Sequence, residues 1–258
     1  MALAERYHEI LKLRREGLKK YGVLQPSDPG GPPVRLSLPH VSRARPSTEY
    51  VRLGPMYFSE NPPIWDFCVQ ELFLRKGGSQ VLEIGPGKGT LALNLKEKLP
   101  GKIEKYFGYE QDRTVNGPYE RIDRLPDDIK VDVLIASEVI EHMSADVFYD
   151  QLLSPIASQM SADAVAIFGT PNALSAGSIF RDFTHVQGYT WYDLYAILRT
   201  KFQTVDVFRT RYLWSPHRIV TLLPSIIGCR ILELDWCDGL VCVARDPIGV
   251  VSTSALLP

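Results

Sequence analysis

Val81-Leu82-Glu83-Ile84-Gly85-Pro86-Gly87-Lys88-Gly89-Thr90 is the stretch from which the fold can be read. Residues 80–84 form a short aliphatic run of strand character, and residues 90–99 carry apolar positions at helical spacing. Between them lies Gly-x-Gly-x-Gly. Glycines at such a junction let the chain turn tightly and let backbone N–H groups approach a ligand. Ordinary turns also use glycine, so the flanking acids matter. Glu83 stands two residues before the first glycine, and Glu110 ends the next strand about 20 residues after the turn. A carboxylate in that second position suits the two hydroxyls of a ribose. Hydrogen bonds of this charge-assisted kind are worth roughly 1.5–3 kcal/mol each. A dinucleotide fold would show G-x-G-x-x-G; here the third glycine arrives one residue early, which disfavours a cradle for a pyrophosphate.

Working outward from the turn, strands and helices alternate. Residues 105–110, 131–136, 164–168, 204–209 and 239–244 read as further strands, and residues 64–75, 144–160 and 190–200 as helices. Pro62 and Pro63 pre-set the first turn of the 64–75 helix, and Thr190 is placed to cap the 190–200 helix. This alternation implies an α/β fold with a mostly parallel sheet covered by helices on both faces. No internal repeat is visible.

The 258 residues, about 45% of them apolar, suffice for one such domain. Three segments are expected: an extension over 1–63, the main domain over 64–250 and a tail over 251–258. The extension opens with an amphipathic helix over residues 2–21, which either caps a pocket or packs on the core edge. A Pro- and Gly-rich loop follows over 25–63. It carries Arg35, Arg43, Arg45 and Arg52, either solvated or forming a basic lip for a phosphate or carboxylate. The net charge of −1 neither suggests nor excludes an anionic partner. Cys68, Cys229, Cys237 and Cys242 form no C-x-x-C pair and read as reduced thiols of a cytoplasmic protein. The apolar stretch 219–227 is far short of the ~20 residues that span a bilayer.

The chemistry-bearing segment is Ala136-Ser137-Glu138-Val139-Ile140-Glu141-His142-Met143, at the end of the 131–136 strand. Ligands of open α/β sheets bind at such carboxyl ends. If Glu138 opens a helical turn, Glu141 and His142 follow at i+3 and i+4 and share its face. Gly169-Thr170-Pro171-Asn172 ends another strand, and His185 lies five residues before Thr190. Either His142 or His185 could serve as a general base, and both could equally be structural.

Glu83, Gly85, Gly87 and Gly89 match, residue for residue, the E-x-G-x-G-x-G motif of the class I methyltransferases, which the chain therefore resembles. The resemblance implies a Rossmann-like, doubly wound, mostly parallel seven-stranded sheet and S-adenosyl-L-methionine as cofactor. Glu83 and Gly85 through Gly89, Pro86 included, would hold the amino-acid part of the cofactor. Glu110 and Gln111 would hold the ribose, and Ser137 and Glu138 would line the same pocket. Such enzymes usually place a third strand with an acid before a Leu-Pro pair. Leu125-Pro126 is present, and Tyr119, Glu120 and Asp123 are unranked candidates for the adenine pocket.

Over about residues 78–210, T-P-N, then a His, then a Thr-led helix is similar to a broad group that includes the ubiquinone-biosynthesis O-methyltransferases, which act on phenolic hydroxyls. A narrower likeness is to the small-RNA 3′-terminal 2′-O-methyltransferases. They share E-x-x-E-H, the His five residues before a Thr, and a lead-in like Phe58-Ser59-Glu60-Asn61-Pro62-Pro63, here one residue longer. That likeness implies a divalent cation, Mn²⁺ more than Mg²⁺ given two imidazoles, on Glu138, Glu141, His142 and His185. The chain departs from that family in its loop, Thr184-His185-Val186-Gln187-Gly188-Tyr189-Thr190 in place of D-H-K-F-E-W-T, and lacks an overall basic character. A small-molecule hydroxyl (phenol, sugar or lipid-linked) is the favoured acceptor, with RNA and a non-catalytic partner-binding module as the alternatives. Tyr57, Phe58, Phe180, Phe183, Tyr189 and Trp191 are read either as an aromatic lid or as core. Residues 209–236 are expected to shape the acceptor side; nothing in the sequence fixes the oligomeric state.

Overall fold

The computed structural model describes residues 3, 6–20, 57–59, 63–124, 129–175, 182–212 and 237–249. In chain order the elements are α1 (Tyr7–Lys20), β1 (Tyr57–Ser59), α2 (Pro63–Leu74), β2 (Ser79–Ile84), α3 (Thr90–Lys98), β3 (Ile103–Tyr109), β4 (Glu120–Ile122) and β5 (Val131–Ser137). A 3-10 turn (Ile140–His142) and a π-helical stretch (Val147–Leu153) follow, then α4 (Ser154–Gln159), β6 (Met160–Pro171), α5 (Trp191–Arg199), β7 (Phe202–Tyr212) and β8 (Gly239–Pro247).

The strands form one sheet in the order β1-β7-β8-β6-β5-β2-β3-β4. Only β8 runs antiparallel to its neighbours, between β6 and β7. From β2 the chain steps outward through β3 and β4, then returns to lay β5 on the other side of β2. That reversal creates a crevice at the carboxyl ends of β2 and β5. The mostly parallel, doubly wound sheet expected from the sequence is present. Its edge is extended by β1, which lies in the Pro/Gly-rich segment and pairs with residues 210–212 of β7.

Both faces of the sheet are buried. In β5, Leu134 and Ala136 enter one core, under the π-helical stretch, α4 and α5; Val133 and Ile135 enter the other, under α2 and α3. This is why the strand is aliphatic at consecutive positions. The helix read over 144–160 forms with a change of register. Pro155 stands in the first turn of α4. It has no N–H to give to Gln151, four residues back, so the α-helical ladder is interrupted there. Preceding residues widen into a π-helical turn. Thr190 caps α5: its hydroxyl accepts from the Asp193 N–H and donates to the Asp193 carboxylate.

Of the two placements considered for the first helix, packing on the core edge is the one observed. Gly17 of α1 sits on the Tyr195 ring of α5, where a Cβ would fall 2.6 Å from a ring carbon. Arg14 pairs with Asp193 at 3.0 Å and lies over Tyr192; Arg6 donates to the Tyr149 hydroxyl and the Thr200 carbonyl. Cys68, Cys237 and Cys242 are buried. No helix among the described residues is long and apolar enough to cross a membrane. Arg35, Arg43, Arg45 and Arg52, Leu125-Pro126, Phe180, Cys229, residues 213–236 and the 251–258 tail lie outside the described residues, as do the side chains of Tyr57 and Phe58.

Candidate active site

Strand register sets the site. Tyr109, Ile84, Ala136 and Phe168 lie side by side across β3, β2, β5 and β6, so Glu110, Gly85, Ser137 and Gly169 follow in one row at the carboxyl end of the crevice.

Gly85, Gly87 and Gly89 all take left-handed backbone, with φ of 64°, 53° and 71°. L side chains rarely adopt that region, which explains the glycine at each alternate position. A Cβ on Gly87 would meet nothing within 4 Å, so the backbone there faces open space. The turn is held from both sides. Pro86 is buried, and its carbonyl accepts from the Gly89 N–H at 2.9 Å. The Glu110 carboxylate accepts from the Gly87 N–H at 3.0 Å and, through its other oxygen, from the Asp112 N–H at 2.9 Å. Each oxygen keeps a second lone pair for another donor. Gln111 is exposed beside it.

Tyr119, an adenine-pocket candidate, is built into the turn. Its hydroxyl donates to the Gly87 carbonyl at 2.8 Å. Its ring fills the space where Cβ atoms on Gly108 and Gly117 would fall, at 2.3 and 2.2 Å. Glu120 and Asp123 are exposed, and Asp123 pairs loosely with Arg121 at 3.7 Å. Glu83 lies within the core layer under α2 and takes the Tyr106 hydroxyl at 2.6 Å. Burial pushes its carboxyl up to about 7, against the Tyr106 hydrogen bond that lowers it. Glu83 therefore supports the turn through its strand, with its side chain already engaged.

The E-x-x-E-H segment does not open as a helical turn at Glu138. Glu138 takes a left-handed φ of 54°, unusual for a residue with a side chain, with its N–H donating to the Gly169 carbonyl. The 3-10 turn begins after it, capped by Val139. Glu141 is consequently fully buried while His142 is exposed. Thr170, of the T-P-N segment, donates its hydroxyl to one Glu141 oxygen at 3.0 Å. The other Glu141 oxygen receives no N–H or hydroxyl from the described residues. The Glu138 and Glu141 carboxyls lie against each other, and two such groups can meet only by sharing a proton. Burial of the carboxyl and the neighbouring Glu141 charge push Glu138 up to about 7. Burial pushes Glu141 to about 7 as well.

His185 arrives from the loop before α5. The Val186 and Gln187 N–H groups both donate to the Glu141 carbonyl, at 2.9 and 3.0 Å. The His142 and His185 rings stand edge to face, 4.8 Å apart. Potential ligand atoms of Glu141, His142 and His185 lie within 4.8 Å of one another. A cation with ~2.1 Å bonds needs ligand separations of roughly 3–4 Å, so a small inward movement would close the set. Glu138, the fourth residue implied by the resemblance, stands outside this group of three. The remaining T-P-N polar group, Asn172, ties the end of β6 to the Cys237 carbonyl. A cavity of about 460 Å³ opens beside the cluster, lined by Ala173, Asp182, Phe183, His185 and Val186 among others. Phe183 is almost wholly exposed there, whereas Tyr189 and Trp191 are core residues.

Residues 60–218 match the family model described as a methyltransferase domain. The chain belongs to that family. It is a methyltransferase of the S-adenosylmethionine-dependent class, as the glycine turn implied. Among solved structures, it is similar to a SAM-dependent methyltransferase from Archaeoglobus fulgidus, at 18% identity and a TM-score of 0.52 over 70% of this chain and 92% of that one. It is also similar to a Haloferax volcanii putative methyltransferase solved in complex with the Trm112 methyltransferase activator, at 16% identity and a TM-score of 0.52, covering 71% and 90%. At such identities the likeness is one of fold. None of the curated proteins matches this chain in sequence.

Proposed function

We propose that this methyltransferase acts on an oxygen of a small-molecule acceptor, at the cluster formed by Glu141, His142 and His185. The observation that carries the reading is the Glu141 carboxylate: fully buried, with one oxygen given no donor among the described residues, and close to two imidazoles. A buried acceptor left without a donor costs about 1–3 kcal/mol unless something meets it. A divalent cation or the proton of an acceptor hydroxyl would do so.

S-adenosylmethionine supplies an electrophilic methyl group on a sulfonium. The protein's part is alignment, worth ~7–11 kcal/mol when good, and removal of the acceptor proton. Gly85, Pro86, Gly87 and Gly89 would take the amino-acid part of the cofactor, supported by Glu83. Glu110, with two lone pairs to spare, would take the ribose beside Gln111. Ser137 and Glu138 would line the side toward the acceptor. A cation on Glu141, His142 and His185, with Glu138 as the fourth ligand, would orient and acidify the acceptor hydroxyl. Two imidazoles favour Mn²⁺ over Mg²⁺. The buried free thiols of Cys68 and Cys242 suit a reducing cytoplasm.

The test is calorimetric titration with S-adenosylhomocysteine, with and without Mn²⁺ or Mg²⁺, followed by acceptor screening. Micromolar binding that weakens about 10–100-fold in Glu110→Ala is expected from loss of one or two charge-assisted bonds. Mn²⁺ should bind the wild type and not Glu141→Ala. Metal binding together with methylation confined to RNA ends would replace the small-molecule reading. Cofactor binding without metal would leave His142 or His185 as base, and no cofactor binding would sink the reading.

A further inference from the structure

We propose that Asp182 and Thr184 are positioning residues for His142: they keep the hydrogen on its Nδ1 and so leave Nε2 as the nitrogen with a lone pair to offer. The inference rests on the reading of Glu141, His142 and His185 as the acceptor-activating cluster.

A threonine hydroxyl has one hydrogen to give. In Thr184 it goes to Asp182 Oδ1, at 2.6 Å. The exposed Asp182 carboxylate also accepts the Thr184 N–H through the same oxygen, at 2.9 Å. A carboxylate only accepts, so this bond has a single direction. Thr184 Oγ1 must then act as the acceptor in its 3.0 Å contact with His142 Nδ1. The Thr184 carbonyl, 3.4 Å from the same nitrogen, can also only accept. Both neighbours of Nδ1 thus require a hydrogen on it. A neutral imidazole carries one hydrogen, which leaves Nε2 bare.

The loop that holds this chain of bonds also delivers His185. His185 donates its N–H to the Asp182 carbonyl at 3.3 Å, and the next two N–H groups anchor on the Glu141 carbonyl. One short loop therefore brings in one imidazole and sets the usable nitrogen of the other. Partners of this kind fix the ring orientation and tautomer of ligating or basic histidines, and losing one typically costs about 10–100-fold in metal affinity or activity.

The experiment is a two-bond ¹H–¹⁵N correlation spectrum of the full-length protein, free of metal, in mildly alkaline buffer. Wild type and Thr184→Ser should show the hydrogen on His142 Nδ1; Thr184→Val should show the two tautomers mixed. Mn²⁺ affinity by calorimetry should fall about tenfold or more in Thr184→Val and recover in Thr184→Ser, with S-adenosylhomocysteine affinity unchanged. Thr184 and Asp182 are both exposed, so folding should tolerate these changes. A wild-type hydrogen on Nε2, or a tautomer indifferent to Thr184→Val, would overturn the inference. If the Nδ1 hydrogen depends on Thr184 but the wild type binds no Mn²⁺, the positioning role stands and the metal reading fails.

Discussion

The two halves of the crevice are built on opposite plans. On the β2–β3 side the polar groups satisfy one another: Glu110 holds two backbone N–H groups, Tyr119 holds the Gly87 carbonyl, and Glu83 holds Tyr106. On the β5–β6 side they are left in tension. Glu138 sits in left-handed backbone, Glu141 keeps an oxygen with no donor among the described residues, and its carboxylate crowds against two imidazoles. A self-satisfied frame suits a site that presents fixed backbone to a ligand. A cluster of mutually perturbed groups suits one that must move a proton. Beyond the β2–β5 pairing, the two halves touch where a Cβ on Gly85 would fall 2.6 Å from Val139, the residue at the N-cap of the Glu141–His142 turn.

The widest separation between the halves should come from Glu141→Ala. If Glu141 serves the acceptor side alone, turnover should fall by about 10³-fold, within the span that loss of acid–base or metal assistance produces. Affinity for S-adenosylhomocysteine should stay within about twofold. Parallel loss of both would erase the division between a cofactor half and an acceptor half.

Glu83 provides the next largest effect, on stability. Its folded carboxyl titrates at about 7, above the ordinary range near 4.5 in which it titrates when unfolded. The folded state therefore binds this proton more tightly, and stability falls as pH rises from about 4.5 to 7. The full cost, about 3 kcal/mol, is present above that window. Glu83→Gln keeps an acceptor for Tyr106 and carries no charge. It should raise the melting temperature at pH 8 and leave it little changed at pH 4.5. Cofactor affinity should not move; a tenfold loss would show that Glu83 reaches the cofactor directly, and the self-contained picture of that half would need revision.

The same contrast explains what the sequence made legible. The glycine turn is written in consecutive residues, and each glycine answers a local backbone requirement, so Gly85, Gly87, Gly89 and Glu110 could be named from spacing and resemblance. Thr190 as the cap of α5 was equally local. The acceptor half depends on what is distant or unmarked. Nothing in the sequence announces that Glu138 takes a positive φ, and the helical spacing of E-x-x-E-H suggested a shared face that the backbone then redirects. Thr170 bonds Glu141 across 29 positions, and Thr184 bonds His142 across 42. The resemblance supplied T-P-N and the later histidine without saying what each holds. Pro155 was visible, but its widening of the helix depends on how that helix packs. β1 has three residues in a stretch whose composition reads as loop.

Gly85→Ala tests the seam between the halves. Alanine in left-handed backbone costs about 1–2 kcal/mol, and its methyl must displace Val139. Cofactor affinity and turnover should both fall, each by roughly tenfold, in contrast to the one-sided loss in Glu141→Ala. Steady-state kinetics together with calorimetry separates the two. If only affinity changes, Val139 yields without disturbing the 3-10 turn, and the halves are less coupled than the contact implies.

The smallest effect belongs to Tyr119→Phe, and it bears on how rigid the cofactor half must be. The ring would stay seated against Gly108 and Gly117, so packing is preserved and only the hydroxyl's bond to the Gly87 carbonyl is lost. A single neutral hydrogen bond contributes about 0.5–1.5 kcal/mol. Because Gly87 N–H is separately held by Glu110, the peptide on that side keeps its anchor while the carbonyl side loosens. Affinity for S-adenosylhomocysteine should fall by about two- to tenfold, with turnover at saturating cofactor unchanged. Were affinity to stay level, Glu110 alone would suffice to shape the turn. A loss of a hundredfold would instead mean that Tyr119 touches the cofactor itself, as its place among the adenine-pocket candidates first suggested, and that the frame on this side is not complete until the ligand is bound.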